Sequence, residues 1–112
     1  RPHTLASAIR IVVPHHAAAV AASGAHVVTV SDAEIVEVWQ MLATHEGLFC
    51  EPSSAAGLVA LRRGLVEGER IVVTITGHGL KDTDSADRYA PAPIVCDPDP
   101  DAIARAAASR PR

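Results

Sequence analysis

The sequence is poor in aromatic residues, in lysine and in long apolar runs. Among its 112 residues only Trp39, Phe49 and Tyr89 are aromatic, and Lys81 is the one lysine. The ten Lys and Arg residues are scattered and the net charge is -3, whereas a nucleic-acid-binding surface needs clustered cations. No apolar run approaches the roughly 20 residues of a membrane span, and no signal-peptide core is visible. We therefore expect a cytoplasmic protein that binds neither nucleic acid nor membranes.

Cysteine is scarce as well, and the histidines do not form a metal-binding pattern. Cys50 and Cys96 lie far apart in the sequence, so two buried, reduced thiols are expected rather than a disulfide. His15 and His16 are adjacent and His26 is near, but neighbouring residues on a helix point about 100° apart. We therefore expect solvated histidines and no metal ion.

What the chain does have is a large content of small apolar residues, arranged in short segments. Hydrophobic residues make up 48% of the sequence, mostly as Ala and Val, which suits helices packed closely on a sheet. Pro14 interrupts the first apolar segment. The pattern predicts a partial α/β domain over residues 1–112, with a strand and helix core over 1–90 and a proline-rich tail with a short helix over 91–112. Strands are expected over 6–13, 26–30 and 70–76, extended segments at 48–50 and 94–96, and helices over 15–24, 32–46, 52–68 and 101–109.

Ser31 is the clearest helix start in the sequence. Ser31 and Glu34 have the S-x-x-E spacing of a capping box, and Asp32 and Glu34 place negative charge in the first turn, where the helix dipole favours it. The following apolar residues have the spacing of one helical face and are expected to pack in the core: Ile35, Val38, Trp39 and Leu42.

The stretch TITGHGLKD, residues 74–82, ends an apolar segment on a hydroxyl group. Thr76 is followed by Gly77 and Gly79, which permit positive φ or the close approach of a ligand to the backbone. Because α/β folds bind ligands at the carboxyl ends of parallel strands, Thr76 is a candidate ligand contact. The alternative is that Thr76 only ends a strand and the glycines form a turn.

A second stretch, EGLFCEPSSAAGLVAL at residues 46–61, places a carboxylate and small residues at a helix start. Pro52 fits the first turn because its missing N–H would be unpaired there. The order of the segments would bring Glu51 and Thr76 to the same sheet edge. The alternative is that Glu51 only interacts favourably with the helix dipole. Cys50 is expected to be a buried structural thiol rather than a nucleophile.

Together these motifs resemble the C-terminal part of threonine synthases, which are pyridoxal-phosphate enzymes of fold type II, the tryptophan-synthase-β-like group. The order and spacing of four stretches carry the resemblance: AIRI (8–11), VSDAEI (30–35), EGLFCEPSSAAGL (46–58) and TGHGLKD (76–82). The resemblance implies the C-terminal part of the large domain, a partial three-layer sheet with helices. It also implies pyridoxal 5'-phosphate as cofactor and a lyase reaction that converts O-phospho-L-homoserine and water to L-threonine and phosphate.

The resemblance implies roles for three residues at the cofactor. The hydroxyl of Thr76 would hydrogen-bond the pyridine nitrogen, Gly77 would shape the turn beside the ring, and Glu51 would lie in the wall behind it. Gly79 would help Gly77 to form that turn, and His78 is expected to be a solvated loop residue. No catalytic residue is assigned to this chain.

Several features depart from the family's pattern. The family's Schiff-base lysine and its phosphate-binding loop lie upstream of the segment that this chain resembles. Lys81 matches the lysine of the family's GLKD loop and not the Schiff-base lysine. Val12-Val13-Pro14 stands where Gly-Asn-Pro is common, and Thr83 stands where proline is common. We therefore expect the isolated chain to be inactive and to self-associate, for example as a homodimer. Two alternatives stay open: a non-catalytic α/β remnant with a binding or scaffolding role, and a fragment of a related serine or threonine dehydratase.

Overall fold

The computed structural model describes residues 3–13 and 15–109, so Pro14 lies outside the described residues. Two 3-10 turns occur, at Ser7–Ile9 and Gly79–Lys81. None of the helices within the described ranges is long and apolar enough to cross a bilayer. The α-helices in those ranges are α1 (Ala17–Ser23), α2 (Asp32–His45), α3 (Pro52–Arg62), α4 (Thr83–Tyr89) and α5 (Pro100–Ala108).

The capping box predicted at the start of α2 is confirmed. The Ser31 hydroxyl accepts from the Glu34 N–H, and the Glu34 carboxylate accepts from the Ser31 N–H at 2.8 Å. The guanidinium of Arg63 adds donors to the same carboxylate, with Nε at 2.8 Å. Hydrogen bonds from Ser31 and then from Arg63 lower the pKa of Glu34 to about 2. The predicted inner face of α2 is also confirmed, since Ile35, Val38, Trp39 and Leu42 are buried.

The first turn of α2 also holds the N-terminal segment in place. The Asp32 carboxylate accepts from the Thr4 hydroxyl and from the Leu5 N–H at 2.9 Å, and these bonds lower the pKa of Asp32. Ala6 is fully buried just beyond this anchor. The strand predicted over 6–13 is therefore wrong at its start, because the anchored backbone turns into the 3-10 helix at Ser7–Ile9.

α3 is shorter than predicted, and its end has a clear physical cause. The helix ends at Arg62 rather than near Gly68. Gly64 has a φ of 67° and its N–H donates to the Leu61 carbonyl, while the Leu65 N–H donates to the Ala60 carbonyl. These two bonds and the left-handed glycine form a Schellman motif, which satisfies the last carbonyls of the helix.

The polar stretch after Lys81 forms a helix that the sequence pattern did not predict. The carboxylate of Asp82 accepts from the Ser85 N–H at 3.2 Å and caps α4. The last helix, predicted over 101–109, begins one residue earlier, because the Asp99 carboxylate caps it and Pro100 lies in its first turn. Side-chain capping by aspartate therefore starts both C-terminal helices.

The core lies between α2 and α3. Its buried apolar residues are Ala6, Ile35, Val38, Trp39, Leu42, Cys50, Ala55 and Val59. The indole N–H of Trp39 donates to the Cys50 carbonyl, which joins α2 to the segment before α3. Both cysteines are free thiols; Cys50 is buried as expected, whereas the prediction of a buried thiol is wrong for Cys96, which is exposed.

The apolar segments that the pattern predicts as strands lack partners. Within 3–13 and 15–109 no strand ladder forms, and the only bridge is an isolated antiparallel one between Cys50 and His78. Val27 is 81% exposed and Val72 is 93% exposed. The accessible surface is 8826 Å², against about 5,900 Å² expected for a compact protein of this mass. The radius of gyration is 17.8 Å, against about 13 Å for a compact domain of this length. The chain therefore leaves much of its apolar surface unpacked.

Glu34→Gln should lower the free energy of unfolding at neutral pH, because the charged carboxylate accepts from Ser31 and pairs with Arg63. The folded-state pKa of about 2 lies below the ordinary 4.5, so this stabilisation is complete above about pH 4.5 and is lost as the pH falls through about 2. Urea unfolding of wild type and variant should therefore differ at neutral pH and converge in acid. Glu67→Gln, at an exposed position outside the ion pairs of the described residues, should show no such convergence. A wild-type advantage that persists unchanged through acid would contradict the assignment.

Candidate functional site

The turn at residues 76–79 lies directly against the start of α3. The Glu51 N–H donates to the Gly77 carbonyl at 2.9 Å, and the Gly79 N–H donates to the Phe49 carbonyl at 3.0 Å. These bonds flank the antiparallel bridge between Cys50 and His78. The structure therefore brings together the two motifs that carry Glu51 and Thr76, although through an antiparallel bridge rather than at the edge of a parallel sheet.

Ser54 is the side chain that binds this turn most closely, and the sequence analysis did not single it out. Its hydroxyl oxygen accepts from the N–H groups of Thr76 and Gly77, each at 3.1 Å. The same oxygen lies 3.1 Å from the Thr76 hydroxyl oxygen. Ser54 is only 6% exposed, so little water competes for these bonds. A sequence signal existed, because a serine in the first turn of a helix is a common partner for nearby backbone N–H groups.

Thr76 is exposed at the surface and lines a shallow cavity. The cavity volume is about 220 Å³, below the roughly 300–1,000 Å³ of a typical small-molecule site. Most of its wall is apolar, with polar groups from Thr76 and His78. Its lining residues are Leu48, Phe49, Cys50, Ile75, Thr76, Gly77 and His78. The cavity is therefore an open depression with Thr76 among its lining residues.

Glu51 lies behind this wall rather than in the cavity. Its residue is 4% exposed, and the carboxylate lies 3.8 Å from the Lys81 ammonium. A Cβ at Gly77 would lie 1.9 Å from Oε1 of Glu51. Gly77 does not have a positive φ, so its need for glycine comes from the close approach of the Glu51 side chain and not from a left-handed backbone.

Gly79 also permits close packing, in this case by an aromatic ring. A Cβ at Gly79 would lie 2.4 Å from the ring of Phe49. That ring meets the His78 ring edge-on, with centroids 5.6 Å apart. His78 is exposed, as expected, and its Nδ1 accepts from the Leu80 N–H at 3.2 Å. His78 therefore helps to shape the 3-10 turn at Gly79–Lys81.

Cys50 lines the same cavity but has the properties of a structural thiol. Desolvation raises the pKa of Cys50, and the neighbouring charge of Glu51 raises it further. Because the nucleophilic form of cysteine is the thiolate, a raised pKa disfavours nucleophilic chemistry. The histidines likewise do not converge: within the described part of the chain, no three His, Cys, Asp or Glu side chains are placed to hold a metal ion.

A larger cavity, of about 580 Å³, lies between the N-terminal segment and α4. It contains neither Thr76 nor Glu51, and Lys81 lies at its edge. Its polar groups are partly used by the fold, since Arg10 donates to the Thr4 carbonyl and Asp82 caps α4. Size alone therefore does not make this cavity the functional site.

Known proteins match this chain over most of its length. A family model described as pyridoxal-phosphate dependent enzyme matches residues 1–77. A protein named threonine synthase from Methanocaldococcus jannaschii is 43% identical over 93% of this chain and 28% of its own length. Its namesake from Synechocystis is 45% identical over 76% of this chain and 24% of its own length. A protein of the same name from Mycobacterium tuberculosis H37Rv is 38% identical over 87% of this chain and 30% of its own length. The chain thus spans less than a third of these relatives.

Gly77→Ala should destabilise the protein by about 1–3 kcal/mol, the usual cost of overpacking, because the new methyl group would overlap the Glu51 carboxylate. The cost should fall in a Glu51→Ala background and persist in a Glu51→Gln background, where the side chain keeps its size. Denaturant unfolding of the single and double variants measures this coupling.

Gly57→Ala is the matched control, because Gly57 lies inside α3 and a Cβ there has nothing within 4 Å. This substitution should be stabilising by up to about 1 kcal/mol. Equal costs for Gly77→Ala in the Glu51→Ala and Glu51→Gln backgrounds would show that the Glu51 side chain is not the cause.

Proposed function

The chain belongs to the family of pyridoxal-phosphate dependent enzymes, and from this premise we propose that it is the C-terminal part of a threonine-synthase-like enzyme. The complete enzyme converts O-phospho-L-homoserine and water to L-threonine and phosphate. The observation that carries the proposal is the position of Thr76: it lines a cavity, and its hydroxyl is held beside the start of α3 by Ser54. The names of the relatives support this reaction. Because the chain covers less than a third of the length of these relatives, it would supply only part of the active site.

The residues present fit one side of a pyridoxal 5'-phosphate site. Thr76 is an exposed residue with a neutral hydroxyl in a mostly apolar wall, and Gly77 lets that wall pack closely against Glu51 behind it. When bound, the cofactor supplies an electron sink for elimination and addition at the substrate. A hydroxyl, unlike a carboxylate, does not hold a ring nitrogen protonated. Thr76 would therefore hydrogen-bond that nitrogen, and Gly77 would shape the turn beside the ring by making room for Glu51 behind it.

Glu51 supports this wall from behind. Its side chain fills the space over Gly77, and its N–H donates to the Gly77 carbonyl, so it fixes both the position and the packing of that glycine. Lys81 lies 3.8 Å from the Glu51 carboxylate and is 65% exposed, so it balances the charge from the solvent side. Glu51 thus belongs to the cofactor-binding wall as a support and does not take part in the chemistry.

The apolar segments without partners are strands of a sheet in the complete enzyme. The segments 26–30 and 71–75 have strand-like composition, and Val27 and Val72 are almost fully exposed in this chain. An apolar segment without polar alternation suits a parallel sheet that is covered on both faces. These segments therefore pair with polypeptide outside this chain, within a three-layer fold type II domain.

Two other functions remain as alternatives. A non-catalytic α/β remnant would keep the helical core but bind no cofactor, and a fragment of a serine or threonine dehydratase would bind the cofactor but produce a ketoacid. The names of the relatives favour the synthase over the dehydratase.

The isolated chain should self-associate, because exposed apolar segments pair with one another when their normal partners are missing. Static light scattering should give an apparent mass that rises with concentration above that of the monomer. Val27→Glu with Val72→Glu should reduce this mass. Ala18→Glu with Ala21→Glu, which adds the same two charges at exposed positions of α1, should not. A constant monomer mass at high concentration would contradict the proposal.

The proposed reaction can be tested by joining this chain to the upstream part of the Methanocaldococcus jannaschii relative. The fusion should bind pyridoxal 5'-phosphate and release phosphate from O-phosphohomoserine, whereas the isolated chain should be inactive. Thr76→Val should lower kcat/KM by about 5- to 150-fold, the effect of losing about 1–3 kcal/mol of hydrogen bonding to the cofactor, and Thr76→Ser should retain most activity.

Three other results would each overturn the synthase proposal. Cofactor binding with ketoacid from serine or threonine but no phosphate release would indicate the dehydratase. A folded fusion without cofactor binding would indicate the remnant. Full activity in Thr76→Val would show that the Thr76 hydroxyl does not contact the cofactor, and the observation that carries the proposal would no longer support it.

A further inference from the structure

The hydrogen bonds around Ser54 determine which hydroxyl is the donor between Ser54 and Thr76. A serine hydroxyl has one hydrogen to donate and two lone pairs that accept. Both lone pairs of Ser54 are used, because the N–H groups of Thr76 and Gly77 each donate to its oxygen at 3.1 Å. The hydrogen of Ser54 is then the only group left for the 3.1 Å contact with the Thr76 hydroxyl oxygen.

We propose that Ser54 is a positioning residue that donates its hydrogen to Oγ1 of Thr76 and thereby turns the Thr76 hydrogen outward, towards a bound ligand. Apart from the Ser54 oxygen, no acceptor among residues 3–13 and 15–109 lies within hydrogen-bonding distance of the Thr76 hydroxyl. Thr76 is exposed and lines the cavity described above, so this hydrogen can reach a ligand there. This inference rests on the proposed function for the identity of the ligand.

The arrangement selects the chemical character of the ligand atom. The bond from Ser54 polarises the Thr76 hydroxyl, which makes its hydrogen a stronger donor and its remaining lone pair a weaker acceptor. The preferred ligand atom is therefore an acceptor without its own hydrogen, such as an unprotonated pyridine nitrogen. A protonated ring nitrogen could donate only to the remaining lone pair of Oγ1 and would leave the outward Thr76 hydrogen without a partner, so it is the less favoured ligand atom.

The backbone around Ser54 explains why this direction is fixed. Ser54 lies in the first turn of α3, where Pro52 restricts the chain and the Ser54 N–H donates to the Glu51 carbonyl at 3.0 Å. The two N–H groups that fill its lone pairs belong to Thr76 and to the residue after it, so the same serine positions the backbone and the side chain of Thr76. Because Ser54 is 6% exposed, water does not easily replace these partners.

Hydroxyl exchange in the unaltered chain tests the donor direction without any cofactor. In an equal mixture of light and heavy water, a slowly exchanging hydroxyl splits the NMR signal of its own β-carbon into two lines. With ¹³C-labelled serine and threonine, the Ser54 β-carbon should be split, because its hydrogen is buried and bonded. The Thr76 β-carbon should give one averaged line, because its hydrogen faces solvent. A split Thr76 signal with an averaged Ser54 signal would overturn the proposal.

A pair of variants tests the positioning role. Ser54→Ala should raise the amide exchange rates of Thr76 and Gly77 at least tenfold, because both N–H groups lose their acceptor. Ser53→Ala is the matched control: it removes a hydroxyl one residue away, whose described partner is the Ala8 N–H, and should leave both rates unchanged. Unchanged rates in Ser54→Ala would contradict the role of Ser54.

The ligand side is tested in the fusion with pyridoxal 5'-phosphate labelled with ¹⁵N in its ring. The ring-nitrogen NMR shift should be that of an unprotonated nitrogen that accepts a hydrogen bond. In Ser54→Ala and in Thr76→Val, the ring-nitrogen shift should move towards the value of a nitrogen without a hydrogen bond. In Ser54→Thr, which keeps the hydroxyl, the shift should return to the wild-type value. A protonated ring nitrogen in the wild-type fusion would overturn the proposal. Absence of cofactor would overturn the proposed function, whereas the donor direction would still be decided by hydroxyl exchange in the unaltered chain.

Discussion

The contact between the start of α3 and the turn at 76–79 organises the functional part of this chain. It consists of backbone bonds from Glu51 and Gly79, and of the Ser54 hydroxyl with its three partners. Without it, the segment 70–76 would have no defined place beside the helical core, because no strand ladder holds it within the described residues. A hydroxyl and a glycine at this contact satisfy different needs: Ser54 satisfies backbone donors, and Gly77 makes room for Glu51.

The parts of the fold that could be predicted from the sequence are those decided by local chemistry. The capping box of Ser31 and Glu34 and the inner face of α2 depend on spacings within one helix, and both are present as predicted. The proximity of Glu51 and Thr76 was also predicted, from the order of the segments. The residue roles at a cofactor are not decided by such spacings and stay a proposal.

The features that sequence reasoning missed depend on partners distant in the sequence or on competing signals. The role of Ser54 depends on its contact with Thr76, which is 22 residues away in the sequence, so no local pattern around Ser54 indicates it. The end of α3 depends on Gly64, whereas Gly68 was the more obvious stop because the apolar pattern continues through Leu65. The predicted strands form no ladder among the described residues, because a local apolar pattern does not specify which segment a strand pairs with.

Trp39 gives the chain an intrinsic optical reporter. It is the only tryptophan, it is 5% exposed, and its indole N–H donates to the Cys50 carbonyl beside the cavity wall. Its ring also lies 6.4 Å from that of Phe49, which covers Gly79. A change in the spacing of the 48–50 segment and the glycine turn would therefore alter the polarity around a single fluorophore, so that emission wavelength follows the wall itself rather than an average over the molecule.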